Sequence, residues 1–380
     1  MNNNRLHIWM NIPSFHQNDL LNKLAENCDK FEVVFAHEGD KERINQGWDT
    51  EQTQQYKSRT IGKDLSALQL VSYVFKNRKA THIVNGIWAE KTLFCVILLL
   101  NIFKANFLIY SEAPIPIKHR SFIKKFLLQI IVKPLAKMLI IRAKGFLAVS
   151  IFAVEFFESL GAKTDKIYRF GYFRNVKKYI QNQLNPNKLE LIFVGQLIER
   201  KGVMILLEAI KIIAKTNKLF HLTIIGTGEL ESSLKEFINI NELQSRVTLL
   251  GVINSKNITD YIQKADLLIL PSVFDGWGMV INEGLQSHVP VLVSDRCGAK
   301  ELVKHDQNGL IFQHNNVESL TENLQKFLYL SLEQKIKMRN FTRETSKNIS
   351  VSVASKYLGL CLNHCLNSQD IKPIAPWLND

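Results

Sequence analysis

Asp275 and Glu283 are separated by seven residues in the stretch PSVFDGWGMVINEG, which follows the apolar run ADLLIL. Carboxylates so placed can accept hydrogen bonds from different hydroxyls of one polyhydroxylated ligand, with the GWG between them (Gly276, Trp277, Gly278) offering backbone N–H groups to the same molecule. The plain alternative is a strand-to-helix corner in which Asp275 closes a turn and Glu283 faces solvent. Spacing alone leaves both open. Upstream, VGQLIERKG sets Arg200 and Lys201 ahead of the helical pattern VMILLEAIKII. A lysine beside a helix N-terminus is electrostatically misplaced without an anion. A diphosphate, taking hydrogen bonds from the lysine and from backbone N–H groups, would resolve this. Arg200 by itself reads more readily as a solvated cation than as a functional one. Gly226 and Gly228, in IIGTGELESSLKEF, form a third corner. One glycine corner can be turn geometry alone; three argue for a ligand.

Strands must carry these corners. In the first half, RLHIWM, FEVVFAH, HIVNG, NFLIYS, GFLAVS and KIYRFG read as strands; in the second, LELIFVG, FHLTIIG, RVTLLG, DLLILPS, PVLVSD and GLIF. Helix-length segments separate them, which predicts parallel sheets covered by helices and ligands at the carboxyl ends of strands. The fold class is α/β, with two Rossmann-like domains. The polar stretch QNQLNPNK marks their junction. The expected division is 1–180 and 181–349, with about 350–380 packing back on the first domain through Trp377. A long helical run is expected from about 316 to 362, and TLFCVILLLNIF reads as a buried helix, too short for a membrane span of about 20 residues.

The net charge of +13 is uneven: residues 1–180 hold 27 Lys or Arg against 15 Asp or Glu, and the rest are nearly balanced. A charged partner is therefore sought in the first half. Residues 118–144 contain eight Lys or Arg, no acid and interleaved apolar residues. That pattern fits a core helix with a basic outer face, or a surface helix resting on an anionic membrane. Nucleic acid is not expected, since neither stacking platforms nor a recognition module is present. The cysteines at 28, 95, 297, 361 and 365 lack metal-ligand spacing and read as reduced thiols. The opening MNNNRLHIWMNIP has no apolar signal core, so a cytoplasmic, peripheral location on the inner face of the membrane is expected.

Together these motifs closely resemble family 4 of the retaining glycosyltransferases, a GT-B family that uses nucleotide sugars. Its V-G-R-L-x-x-x-K-G is matched from Val194 to Gly202, its G-x-G by Gly226 to Gly228, and its P-S-x-x-E-G-F-G with the following acid from Pro271 to Gly284. Asp295, Gly298 and Glu301 match D-x-x-G-x-x-E, and Asn308 with Gly309 match N-G. The resemblance is ordered over roughly 190–312 and looser before that. It implies retaining transfer from a nucleotide sugar, UDP-sugar favoured, to a saccharide or lipid-linked saccharide acceptor in surface polysaccharide or lipopolysaccharide synthesis. It further implies that Lys201 holds the donor diphosphate, that Glu283 takes the ribose and that Asp275 takes sugar hydroxyls. Gly276, Trp277 and Gly278 would lie against sugar and phosphate, and Gly226 and Gly228 beside the base; Gly195, Gln196 and Arg200 belong to the same donor site. No cofactor and no metal are expected. Gln196 departs from the family's arginine, and Asp275 is one methylene shorter than its glutamate. Where the family often has a histidine, this chain has Ser111 and Glu112, with His119 well beyond; Glu112 and the loop residue His16 are candidates for sugar or acceptor contact. The rival readings are a sugar-nucleotide epimerase or, more weakly, a phosphorylase with the same two-domain frame, and a non-catalytic sugar-nucleotide-binding protein.

Overall fold

A computed structural model describes residues 5–39, 54–87, 90–114, 133–176, 188–216, 220–367 and 371–378. The chain forms two compact units. One takes the described residues through Arg174 and then those from Val351 onward; the other is Asn175–Ser350.

The first unit is built on seven parallel strands: β1 (Arg5–Met10), β2 (Lys30–Phe35), β3 (Lys57–Thr60), β4 (Thr81–Asn85), β5 (Asn106–Glu112), β6 (Gly145–Val149) and β7 (Ile167–Phe170), in spatial order 3-2-1-4-5-6-7. Side chains alternate between the two faces along each strand. Trp9 accordingly enters one core with Val84, Phe107 and Ile109. Ile8 and Met10 point the other way, toward Leu20, Leu24 and Leu358. Helices α2 (Ala67–Lys76), α3 (Lys91–Ile102), α4 (Lys133–Ile140) and α5 (Ile151–Ser159) cover the Trp9 face. The opposite face is covered by α1 (Phe15–Glu26) and by a helix from the chain's end, numbered below. Lys57–Thr60 escaped the sequence reading because KSRT is polar; it is an edge strand, where charged side chains are tolerated and discourage further pairing.

The second unit has six parallel strands: β8 (Leu189–Val194), β9 (Phe220–Ile225), β10 (Val247–Gly251), β11 (Leu267–Leu270), β12 (Val291–Ser294) and β13 (Gly309–Phe312), in order 10-9-8-11-12-13. Its helices are α6 (Val203–Ala214), α7 (Glu231–Ile240), α8 (Ser255–Lys264), α9 (Met279–Gln286), α10 (Val317–Tyr329) and α11 (Leu332–Asn348). Both sheets reverse their winding beside a first strand, at β1/β4 and β8/β11. At such a point the loops leaving adjacent strands part and open a ligand crevice. Asp266 ties the sheet to the last helix of this unit: its carboxylate accepts from Glu190 N at 2.8 Å and from Arg339 at 2.9 Å.

The helical run expected from 316 to 362 is broken into α10, α11 and α12 (Val351–Asn367). Ser331 breaks the first joint, its side chain accepting from Gln334 N in a capping box. In the first unit α12 lies beside α1, with Asn27 donating to Ser355, and Tyr168 meets His364 at 2.6 Å. Trp377 packs against Phe173 in a tilted contact, 4.8 Å between ring centroids. The helix expected to be buried, now α3, is buried on one side only: Leu93, Val96, Ile97 and Leu100 enter the core, while Leu98 and Ile102 are exposed. Period alone did not reveal this, because its outer face is as apolar as its inner one.

Candidate functional site

Four loops leave the carboxyl ends of β8, β9, β10 and β11 and interlock. Gly195 N donates to Ile225 O at 3.0 Å, Leu197 N to Thr227 O at 2.9 Å, and Gly226 N to Gly251 O at 2.8 Å. The third of these loops, which begins at Gly251, was not singled out from the sequence, although its glycine at a strand end was the available signal. Contact between loops is what demands the glycines. A Cβ at Gly226 would lie 1.9 Å from Gly195 O, and its φ of +141° lies in a region that side chains avoid. A Cβ at Gly202 would lie 2.0 Å from Pro271 O, and one at Gly228 2.4 Å from Leu197 O. The close neighbours are therefore other backbone segments.

Lys201 ends the short turn Glu199–Lys201, directly before Gly202 and α6. Its side chain runs past Gly195 and reaches Asp275, with Nζ to Oδ2 at 2.5 Å. Both side chains are nearly out of solvent, 15 % and 12 % exposed. Arg200 donates to Phe274 O at 3.0 Å, with its Nη1 4.0 Å from Asp275 Oδ1, and Val273 N donates to Arg200 O. The carboxylate thus has two cations, and Ser272 Oγ at 3.5 Å. Its own backbone is held against the segment after β12: Asp275 N donates to Arg296 O and Gly298 N to Asp275 O. Neither of the sequence's plain readings describes this pair. Asp275 is locked to Lys201, and Glu283, the fifth residue of α9, is buried at 6 % exposure.

Trp277 has its indole in the core, at 1 % exposure, with Nε1 donating to Asn282 at 2.8 Å. Its carbonyl accepts from Ala299 N and from Cys297 Sγ. Only its backbone is left for a ligand. Burial, and then the charge of Asp275, push the Cys297 thiol far above its ordinary pKa, so it is a packing group under the loop and no nucleophile. Gly278 caps α9, an eight-residue helix whose N-terminus follows directly from GWG. Gly195 and Gln196 are half-buried in the first loop. Asn282, Ser272, Ser294 and Cys297 support these corners and were missed in the sequence reading: Ser294 and Cys297 reach Ser272 O and Trp277 O from another loop, and the local contacts of Ser272 and Asn282 depend on how the loop folds back on itself.

The remaining candidates lie in the first unit. Glu112 ends β5, half-buried, its carbonyl accepting from Ser111 Oγ. His16 is in the first turn of α1, not on a loop, with its ring 3.8 Å from that of Phe15. His119 and residues 118–132 of the basic segment fall outside the described residues. Among the described residues no group of three His, Cys, Asp or Glu is arranged to hold a metal ion.

Residues 176–347 match the family described as Glycosyl transferases group 1. An uncharacterised glycosyltransferase of Methanocaldococcus jannaschii is 30 % identical over 217 residues, 51 % of this chain and 57 % of the relative. The UDP-Gal:alpha-D-GlcNAc-diphosphoundecaprenol alpha-1,3-galactosyltransferase of Escherichia coli is 30 % identical over 139 residues, 36 % of this chain and 35 % of that protein. The chain thus spans little more than half the length of the first of these relatives and about a third of the second. A crystal structure of HepE from Anabaena in complex with UDP superimposes with a TM-score of 0.74 at 15 % identity, covering 96 % of this chain and 100 % of that one. Over residues 176–347 the chain is related to the group 1 glycosyl transferases, and its two parallel-sheet units have the GT-B fold.

Proposed function

We propose that the protein is a retaining, metal-independent glycosyltransferase that moves a sugar from a nucleotide sugar, a UDP-sugar first, to a lipid-linked saccharide in surface polysaccharide or lipopolysaccharide synthesis. Residues 181–349 bind the donor and 1–180 the acceptor, with Glu112 and His16 on the acceptor side. The protein works in the cytoplasm at the inner face of the membrane, which residues 118–144 contact.

The observation that carries this reading is the Lys201–Asp275 pair, held between loops at strand ends. A buried cation and carboxylate in contact have two separable uses. A diphosphate takes the lysine, and sugar hydroxyls then take the carboxylate, so each desolvated charge keeps a partner throughout. Arg200 adds positive charge where Gln196 has none, Glu283 accepts from the ribose, and the GWG backbone with the α9 N-terminus faces phosphate. Gly195, Gly226 and Gly228 let the loops approach closely enough to frame the nucleotide. Fixed N–H groups and Lys201 stabilise charge that builds on the leaving diphosphate. The Escherichia coli relative, whose name gives UDP-Gal and a diphosphoundecaprenol-linked acceptor, supports the donor and acceptor classes.

The test is a panel of nucleotide sugars, with nucleotide release followed with and without a polyprenyl-diphosphate saccharide. Release that requires the acceptor, with the anomeric configuration retained in the product, is the expected result. An isomerised sugar nucleotide would make the protein an epimerase, and binding without turnover a non-catalytic binder.

A further inference from the structure

Strands β4, β5 and β6 are neighbours in the first sheet, and each is preceded by its helix, α2, α3 and α4. The C-termini of these helices therefore line up at the same edge of the sheet. Contacts tie them together: Asn101 of α3 donates to Leu139 O of α4 at 3.0 Å, and Phe75 of α2 meets Phe103 at 5.3 Å. Their inner faces fill one core.

The outer faces are apolar too. On α2, Leu68, Val71 and Phe75 follow one another at helical spacing and are exposed. On α3 the outer stripe is Cys95, Leu98 and Ile102, and on α4 it is Leu135 and Met138, continued by Ile141 just past the helix end. Exposure is high at both ends of the face, 85 % at Leu68 and 77 % at Ile141. An apolar surface spread over three adjacent helices is more than the scattered exposure usual on a globular domain. Cations surround it: Lys76, Arg78, Lys104, Lys137 and Arg142. None of the five has a carboxylate within ion-pair distance among the described residues. Arg78 lies over the Phe75 ring at 4.1 Å, joining the charged rim to the apolar plate. α2, α3 and α4 contain no acidic residue; acids lie only at the borders, Asp64 and Glu90 before the helices and Glu155 and Glu158 on α5. No helix among the described residues is long and apolar enough to cross a membrane.

We infer that the outer face of α2, α3 and α4 is a docking plate for an anionic lipid bilayer. Its exposed apolar residues, Leu68, Phe75, Ile102 and Ile141 foremost, enter the boundary between headgroups and acyl chains while the five cations meet lipid phosphates. Charge decides for this occupant: an apolar interface with a second copy would bring two cationic rims together. The inference deepens the membrane contact proposed above and rests on it, moving the contact from residues 118–144 alone to three helices, two of which lie outside that segment.

The experiment uses the full chain with Cys28→Ser and Cys365→Ser, so that the exposed Cys95 alone takes an environment-sensitive fluorophore. It is mixed with phosphatidylcholine vesicles, with and without phosphatidylglycerol, and sedimented. A blue shift and binding only with phosphatidylglycerol are expected. Ile102→Ser with Ile141→Ser, and separately Lys104→Gln with Arg142→Gln, should each weaken binding more than about tenfold. All four positions are on the surface, and a thermal melt checks each fold. Vesicle binding without a Cys95 shift, undiminished in both variants, would overturn this plate while leaving a membrane contact elsewhere. Equal binding to uncharged vesicles, or dimers in light scattering that the Ser variants abolish, would also overturn it. Nucleotide-sugar turnover without lipid is measured alongside, so failure of the transferase reading shows separately.

Discussion

Lys201 and Asp275 come from different loops, seventy-odd residues apart, and meet at 2.5 Å with little solvent around either. Their ionic bond lies between the exposed case, where pairing contributes little, and the buried case, where losing one partner is severe. Lys201→Ala should destabilise the second unit by about 2 kcal/mol, because the more distant Arg200 is then the one cation Asp275 keeps among the described residues, with Ser272 Oγ at 3.5 Å. Adding Asp275→Asn should restore most of that stability without restoring nucleotide binding, as calorimetry with UDP would show. If the double variant binds as the wild type does, Lys201 has no part in diphosphate recognition. Asp275→Glu lengthens the acid by one methylene. It should change the ratio of kcat/KM between two nucleotide sugars, rather than lower both equally, if this carboxylate meets the sugar.

At the scale of elements, loops are locked to loops. Gly226→Ala puts a methyl group 1.9 Å from Gly195 O, and with φ at +141° the loop has no relaxed alternative. A loss above about 2 kcal/mol is expected in urea denaturation; a smaller loss would mean the two loops slide apart freely. The first sheet carries another buried device. His82 Nδ1 accepts from Trp9 Nε1 at 3.1 Å while its Nε2 meets Asn77 O, and its ring stacks on His7 at 5.3 Å. Burial, then the neighbouring His7, bring the His82 pKa down to about 3, and burial lowers that of His7 as well. An unfolded histidine near the ordinary value of 6.5 takes up a proton that the folded His82 refuses. Stability of the first unit should therefore be full above about pH 6.5 and fall toward about pH 3, by up to about 1.4 kcal/mol per pH unit for this residue. His82→Gln should flatten the slope of urea midpoint against pH; an unchanged slope would assign the acid sensitivity to other groups.

Over the whole molecule, the chain leaves the first unit at Arg174 and returns to it at Val351. The return is secured by α12 against α1 and by Trp377, 5 % exposed, among Phe170, Phe173 and Tyr357. Trp377→Ala should cost about 3 to 5 kcal/mol, and the loss should appear in unfolding of the first unit. Nucleotide binding by the second should be unaffected, and equal losses in both units would show that the tail stabilises more than the unit it packs on. Transfer should also survive exhaustive chelation. Loss restored only by a divalent ion would remove the metal-independent mechanism, whatever the fate of the other assignments.

The sequence by itself determined the α/β class, nearly all of the strands and the corners at their ends. Strand and helix periods and glycine turns are local, and local chemistry is written in adjacent residues. KSRT was lost because an edge strand need not be apolar, and the exposed side of α3 because an apolar residue looks the same whether covered or bare. Only the tertiary structure decided that Lys201 is already paired with Asp275, that Glu283 and the Trp277 ring are buried, and that the glycines make room for backbone. Each of these is a contact between distant segments, and no spacing along the chain encodes which distant groups meet. PSVFDGWGMVINEG named the two carboxylates; the fold gave one of them a lysine.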